Sequence, residues 1–143
     1  MIRLHGTCVI VGESGVVLRG PSGAGKSDLA LRLIDTGARL VADDQMEIER
    51  EDDRLSVRAP TTIAGLIEVR GVGILKIDHA PSAPLDLIVD LVAAEMVERL
   101  PQTETEEICG LARRRLTLCP WESSAAAKVR LAVRALTGNI MSI

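Results

Sequence analysis

Hydrophobic residues occur in short runs separated by glycine, proline or charge, and the spacing inside each run sets the element it predicts. Leu4 to Val11 is rich in β-branched residues and predicts a first strand. Gly12-Glu13-Ser14-Gly15 then turns the chain into a second strand, Gly15 to Arg19, and the two form a hairpin. From Ser27 to Thr36 the period changes: Ala30, Leu33 and Ile34 recur at helical spacing, and Gly37 stands where a helix would stop. Arg39-Leu40-Val41-Ala42 is a short apolar run closed by Asp43-Asp44. Met46 to Arg50 and Arg54 to Arg58 alternate apolar and polar residues around Glu51-Asp52-Asp53, which predicts an exposed hairpin with a solvated charged face.

After the break at Pro60-Thr61-Thr62, Ile67 to Ile74 predicts an extended segment on which Glu68 and Arg70 share one face, so the two can act at one site. Gly71 and Gly73 imply a sharp turn or a close backbone approach there. Beyond Pro81 and Pro84, Leu85 to Val92 reads as a buried strand, with Asp86 and Asp90 wetting one face. Gln102 to Glu107 reads as an acidic connector, and Arg113-Arg114-Arg115 starts a last strand through Leu118. That arginine run suits phosphates or an acidic partner and equally a solvated patch. Ser123 or Ser124 can cap a final helix with Ala125, Val129, Ala132, Val133 and Leu136 on one side, ending near Gly138. The expected fold is α/β: a mixed sheet around the Gly15 to Arg19 strand, flanked by the two helices, in one domain spanning 1–143.

Between that strand and the first helix lies Gly20-Pro21-Ser22-Gly23-Ala24-Gly25-Lys26-Ser27, which satisfies the P-loop pattern G-x-x-x-x-G-K-[ST] at every position. The glycines let backbone N–H groups converge on phosphate oxygens, and the helix dipole adds positive charge at the same point. Lys26 can reach the β and γ phosphates of a nucleotide, and the Ser27 hydroxyl is placed to ligate Mg²⁺. Such a loop needs an acid nearby. Asp43 and Asp44, at the C-terminal end of a strand, stand where the metal-binding or catalytic acids of α/β phosphotransferases lie. The alternative for the pair is a loop-starting turn.

At 143 residues the chain can bury a core without disulfides. Hydrophobic content of 47% with 26% charged residues excludes a disordered chain, and a net charge of −3 gives no basic footprint for a nucleic acid. Cys8, Cys109 and Cys119 follow no metal-ligand spacing and are expected to be reduced and structural, in a cytoplasmic protein. No signal peptide and no membrane-spanning run are apparent. With one Trp and no Tyr or Phe, aromatic stacking on a nucleotide base is expected to be scarce, and discrimination among nucleoside triphosphates loose.

With the P-loop, the Asp pair and the Glu-x-Arg-Gly-x-Gly segment in that order, the chain resembles the catalytic domain of the bacterial HPr kinase/phosphorylase family. The resemblance rests on Leu4-His5-Gly6, Gly20 to Ser27, Leu40-Val41-Ala42-Asp43-Asp44 and Ile67-Glu68-Val69-Arg70-Gly71-Val72-Gly73-Ile74. It implies a Mg²⁺-dependent kinase that moves phosphate from ATP to a serine of the phosphocarrier protein HPr, with return by phosphorolysis, in cytoplasmic hexamers. It gives Lys26 the phosphate clamp, Ser27 and Glu68 the metal, Asp44 the acceptor's proton with Asp43 as its neighbour, and His5 a place in the active site. The chain looks like the short, alphaproteobacterial type without the N-terminal domain. Pro120-Trp121-Glu122-Ser123-Ser124 stands where the family has an Arg-bearing loop, and Gln45 follows Asp44 where Arg is common; both departures bear on phosphorolysis more than on the kinase reaction. A nucleotide-binding regulatory module without turnover, or a small-molecule P-loop kinase, are the other readings. Lys26, Ser27, Asp44 and Glu68 together favour the enzyme, since a binding module has no use for a base.

Overall fold

A computed structural model describes residues 1–143. In chain order the elements are β1 (Ile2–His5), β2 (Thr7–Val11), β3 (Ser14–Arg19), α1 (Lys26–Asp35), β4 (Arg39–Ala42), β5 (Gln45–Glu51) and β6 (Arg54–Arg58). They continue with β7 (Leu66–Val69), β8 (Gly73–Lys76), β9 (Ala83–Pro84), β10 (Leu87–Leu91), β11 (Glu104–Ile108), β12 (Leu111–Leu118) and α2 (Ala125–Leu136). Six strands form a mixed sheet in the order β11-β12-β10-β3-β2-β4, with β3, β10 and β12 parallel. Four form an antiparallel sheet, β1-β5-β6-β9, and β7 pairs with β8 alone. The α/β class with a sheet centred on the P-loop strand is as expected.

Strand periodicity sorts the side chains into two cores. Val16 and Leu18 of β3, with Leu87, Val89 and Leu91 of β10, pack against Leu29, Ala30 and Leu33 of α1 and Ala125 and Val129 of α2. The intervening Val17 and Ile88 face the other way, onto Met46, Ile48, Leu55 and Val57 of the second sheet. The large sheet is therefore buried on both faces, which is why its central strands read as nearly unbroken apolar runs. No helix is long and apolar enough to cross a membrane.

Several expectations need correction. Leu4 to Val11 is not one strand: the chain leaves the small sheet after His5 and enters the large one at Thr7. Gly6 is the pivot, where a Cβ would stand 2.9 Å from Met46 Cε and 3.0 Å from the Leu18 carbonyl oxygen. The hairpin β5–β6 is not an exposed addition, because Met46, Ile48, Leu55 and Val57 are all at most 2% exposed. On its other face Glu47 and Glu49 pair with Arg58, and Glu47 also with Arg3. The segment Ile67 to Ile74 is not one extended run, but the sharp turn that Gly71 and Gly73 implied is there: it folds back as β7–β8, with φ of 88° at Gly71 and 126° at Gly73. The acidic connector is strand β11 at the sheet edge, and two of the three arginines in the run pair within the chain, Arg113 with the Leu85 carbonyl and Arg115 with Asp90 and Glu104, while the Arg114 Nε is buried without a partner. Ser124 occupies the N-cap of α2 without a side-chain cap bond, and Leu136 lies outside the packed face at 42% exposure. Cys8 and Cys119 are buried, and burial pushes the Cys8 thiol well above its ordinary value; Cys109 instead is exposed in the β11–β12 turn.

Candidate active site

β3 runs straight into the P-loop, and Gly23 and Gly25 take φ of 82° and 96°, conformations that bend the backbone around an anion-sized space and that side-chain-bearing residues rarely adopt. α1 begins at Lys26, with the Leu29 amide donating to the Gly25 carbonyl at 2.9 Å. The Lys26 ammonium folds over its own loop and donates to the carbonyl oxygens of Gly20 (2.6 Å) and Pro21 (3.0 Å). Those two residues thus serve the site from behind, by holding the lysine, and Ala24 packs against the helix-side core.

Asp43, at the end of β4, is buried and fully engaged. One carboxylate oxygen accepts from the Ser27 hydroxyl (2.7 Å) and the Thr7 hydroxyl (3.1 Å), and the other accepts from the Glu68 amide (3.0 Å). A single side chain therefore ties the start of α1 to β2 and to β7. Asp44 behaves oppositely. Its backbone has φ of 70°, uncommon for a residue with a side chain, while its carbonyl accepts from the Gly6 amide at 3.0 Å. The kink leaves the Asp44 side chain exposed, without a protein partner, on the wall of a cavity of about 330 Å³.

The P-loop residues Ser22, Gly23, Gly25, Lys26 and Ser27 line that cavity together with Asp43, Asp44, Glu68 and Arg70. Glu68 and Arg70 both line the cavity, but not from one face of an extended strand, because Arg70 lies in the turn beyond β7. His5 is exposed on β1, opposite Gln45 in the ladder, and does not line the cavity. No group of three or more His, Cys, Asp or Glu side chains could cage a metal by itself. The donor set fits Mg²⁺ in another way, since that ion takes one or two carboxylates together with substrate phosphates, and a hydroxyl and carboxylates converge beside the P-loop.

Sequence reasoning missed one wall. Trp121, the only Trp, Tyr or Phe of the chain, lines this cavity together with Leu31 of α1. Trp121 follows β12, and a loop at the carboxyl end of a parallel strand, on the same sheet edge as the P-loop, is the signal that could have found it.

Comparison with known proteins gives consistent matches. The family model described as HPr Serine kinase C-terminal domain matches residues 1–129. The HPr kinase/phosphorylase of Chromobacterium violaceum is 40% identical over 129 residues, covering 80% of this chain and 41% of that protein. That of Peptoclostridium acidaminophilum is 53% identical over 77 residues, covering 53% and 25% respectively. The chain thus spans about two-fifths or less of the curated relatives it matches. The solved structure of the Hpr(Ser) kinase/phosphatase from Coxiella burnetii superposes with a TM-score of 0.80 at 26% identity, over 97% of this chain and 90% of that one.

Proposed function

The chain belongs to the family of the HPr serine kinase C-terminal domain, and from that membership we propose that it is a Mg²⁺-dependent protein serine kinase that transfers the γ-phosphoryl group of ATP to HPr. The observation that carries this reading is the meeting of Lys26 and Ser27 with Asp44 and Glu68 on one cavity. Backbone amides of the P-loop and the Lys26 ammonium hold the phosphates, once the lysine exchanges its two loop carbonyls for phosphate oxygens. Ser27, with Asp43 behind it and Glu68 across from it, would hold Mg²⁺, which when bound neutralises charge on the phosphates.

A serine hydroxyl is a poor nucleophile at neutral pH, and the Asp44 carboxylate, exposed on the cavity without a protein partner, is free to accept the hydroxyl proton as the oxygen attacks, with the likewise unpartnered Glu68 left to the metal. Asp43 cannot take that role while its oxygens hold Ser27, Thr7 and the Glu68 amide; it positions. His5, opposite Gln45 in the β1–β5 ladder and next to the Gly6 amide that holds the Asp44 carbonyl, is read as steadying Asp44 through that backbone. Residues 1–143 act as one catalytic domain in this reading, and cytoplasmic hexamers belong to it. Val72 and Ile74 on β7–β8, at 67% and 71% exposure beside the site, are the kind of apolar surface a subunit contact covers.

The test is direct: incubate the protein with Mg²⁺, γ-labelled ATP and HPr, and follow label onto a serine of HPr. Transfer is expected. Nucleotide binding without transfer would overturn the kinase reading in favour of a regulatory module. The same mixture run backwards, with phosphoserine-HPr and inorganic phosphate, reads the phosphorylase reaction through release of pyrophosphate, and mass measurement in solution reads the assembly.

A further inference from the structure

The Trp121 ring is held on the rim of the P-loop cavity by an unusual amount of structure for a residue that remains 64% exposed. Arg32 of α1 clamps the loop from beneath: its guanidinium donates to the carbonyl oxygens on either side of the tryptophan, those of Pro120 and of Glu122 (3.3 Å). The same guanidinium is anchored one turn back by Asp28 at 3.0 Å. Lys128 of α2 holds the Glu122 carboxylate at 3.1 Å from the other side. Gly25 clears the space the ring needs, since a Cβ there would stand 3.1 Å from Trp121 Cη2 and 2.9 Å from Pro120 Cγ. The loop and the P-loop are therefore built against each other.

A fixed, largely uncovered indole opening onto the same cavity as a phosphate cradle suits a flat apolar group carried by the molecule whose phosphates occupy that cradle. Leu31, 38% exposed, adds apolar surface to the cavity beside it. We infer that Trp121 is the base platform of the nucleotide site: the purine of a nucleoside triphosphate stacks on its ring, and Arg32 is the positioning residue that keeps the ring in place. This deepens the kinase reading and rests on it for the occupancy of the P-loop. Stacking tolerates any base, because every base offers a π face. A two-ring purine overlaps the indole more than a one-ring pyrimidine does, so the site favours purine triphosphates, with weak choice between adenine and guanine.

Trp121 is the only tryptophan and the chain has no tyrosine, so its emission reports on this one position. The intact protein is titrated with Mg-ATP, Mg-GTP and Mg-tripolyphosphate, with fluorescence and calorimetry read together. Both nucleotides should change the emission strongly and bind within a few-fold of each other, while tripolyphosphate binds with little change in emission. Trp121→Ala should weaken ATP about tenfold, in line with the usual worth of a base–aromatic stack, and leave tripolyphosphate within about twofold. Trp121→Phe should restore most of the loss. The inference is overturned if Trp121→Ala binds ATP as tightly as the parent, if it loses ATP and tripolyphosphate equally, or if only the KM for HPr rises, which would make the ring a protein contact. Should the parent bind none of the three ligands, the P-loop reading itself falls and this one with it.

Discussion

Asp43 and Asp44 are neighbours of identical chemistry with opposite situations, and the backbone between them makes the difference. Asp43 follows directly on β4 and points into three donors; Asp44 turns to φ of 70° and points into the cavity. Asp44→Asn should therefore leave nucleotide affinity unchanged and reduce transfer to HPr by at least about a hundredfold, the usual scale for removing a general base. A variant that phosphorylates HPr at the parent rate would end the base assignment. Asp43→Ala should act on folding as well as rate. It strands two hydroxyls and one amide, at roughly 1–3 kcal/mol for each group that water cannot reach, so the urea midpoint should fall clearly. Lys26→Ala should weaken ATP binding itself. The pair was legible in the sequence because it ends an apolar run after a P-loop. The division of labour was not, since nothing local in the sequence fixes a positive φ at Asp44 or brings Thr7 and the Glu68 amide to Asp43.

Elements were legible where periodicity was clean and failed where packing overrode it. The P-loop strand and helix came through because an apolar β run, a glycine loop and a 3.6-residue period follow one another without interruption. Leu4 to Val11 looked like one strand because β-branched residues continue through Gly6, yet the space beside Gly6 is filled by Met46 and Leu18, so the chain must change sheets there. β11 was invisible for the opposite reason: its Glu and Thr residues have no apolar face, and cross-strand arginines on β12 stabilise it instead. A second glycine makes the junction of the two sheets testable. A Cβ on Gly15 of β3 would stand 1.6 Å from the Pro84 carbonyl oxygen on β9, a backbone atom that cannot step aside without parting the sheets. Gly15→Ala should cost about 3 kcal/mol, at the upper end of overpacking penalties, and lower the melting temperature by roughly 10 °C. An unchanged melting curve would mean that the contact yields easily.

At the scale of the whole molecule, one charge ladder crosses four strands of the large sheet and ends beside the P-loop. Arg19, the last residue of β3, donates to Asp90 on β10 (2.7 Å) and to Glu106 on β11 (2.6 and 2.7 Å), while Arg115 on β12 reaches Asp90 and Glu104, each at 2.6 Å. Burial alone would raise the Asp90 carboxyl, but the Arg19 and Arg115 guanidiniums more than offset it and hold it below its ordinary value. The Arg19 hydrogen bonds likewise hold Glu106 down. A carboxyl whose folded value is depressed contributes its full stabilisation above its unfolded value, about 3.9 for Asp and 4.3 for Glu, and loses it as pH falls through the folded value. Both arginines stay charged throughout, so the carboxylates alone set the window. Asp90→Asn should therefore be less stable than the parent by about 2 kcal/mol near pH 7, the scale of hydrogen bonds to a charged group. The gap should hold down to about pH 5 and close as the solution is acidified through and below the ordinary carboxylate range, where the parent loses the same charge. Urea midpoints of the two proteins across that range decide the matter: a gap independent of pH would assign the loss to packing, and the ladder would then be a consequence of the sheet rather than one of the forces that fixes the P-loop strand in its place.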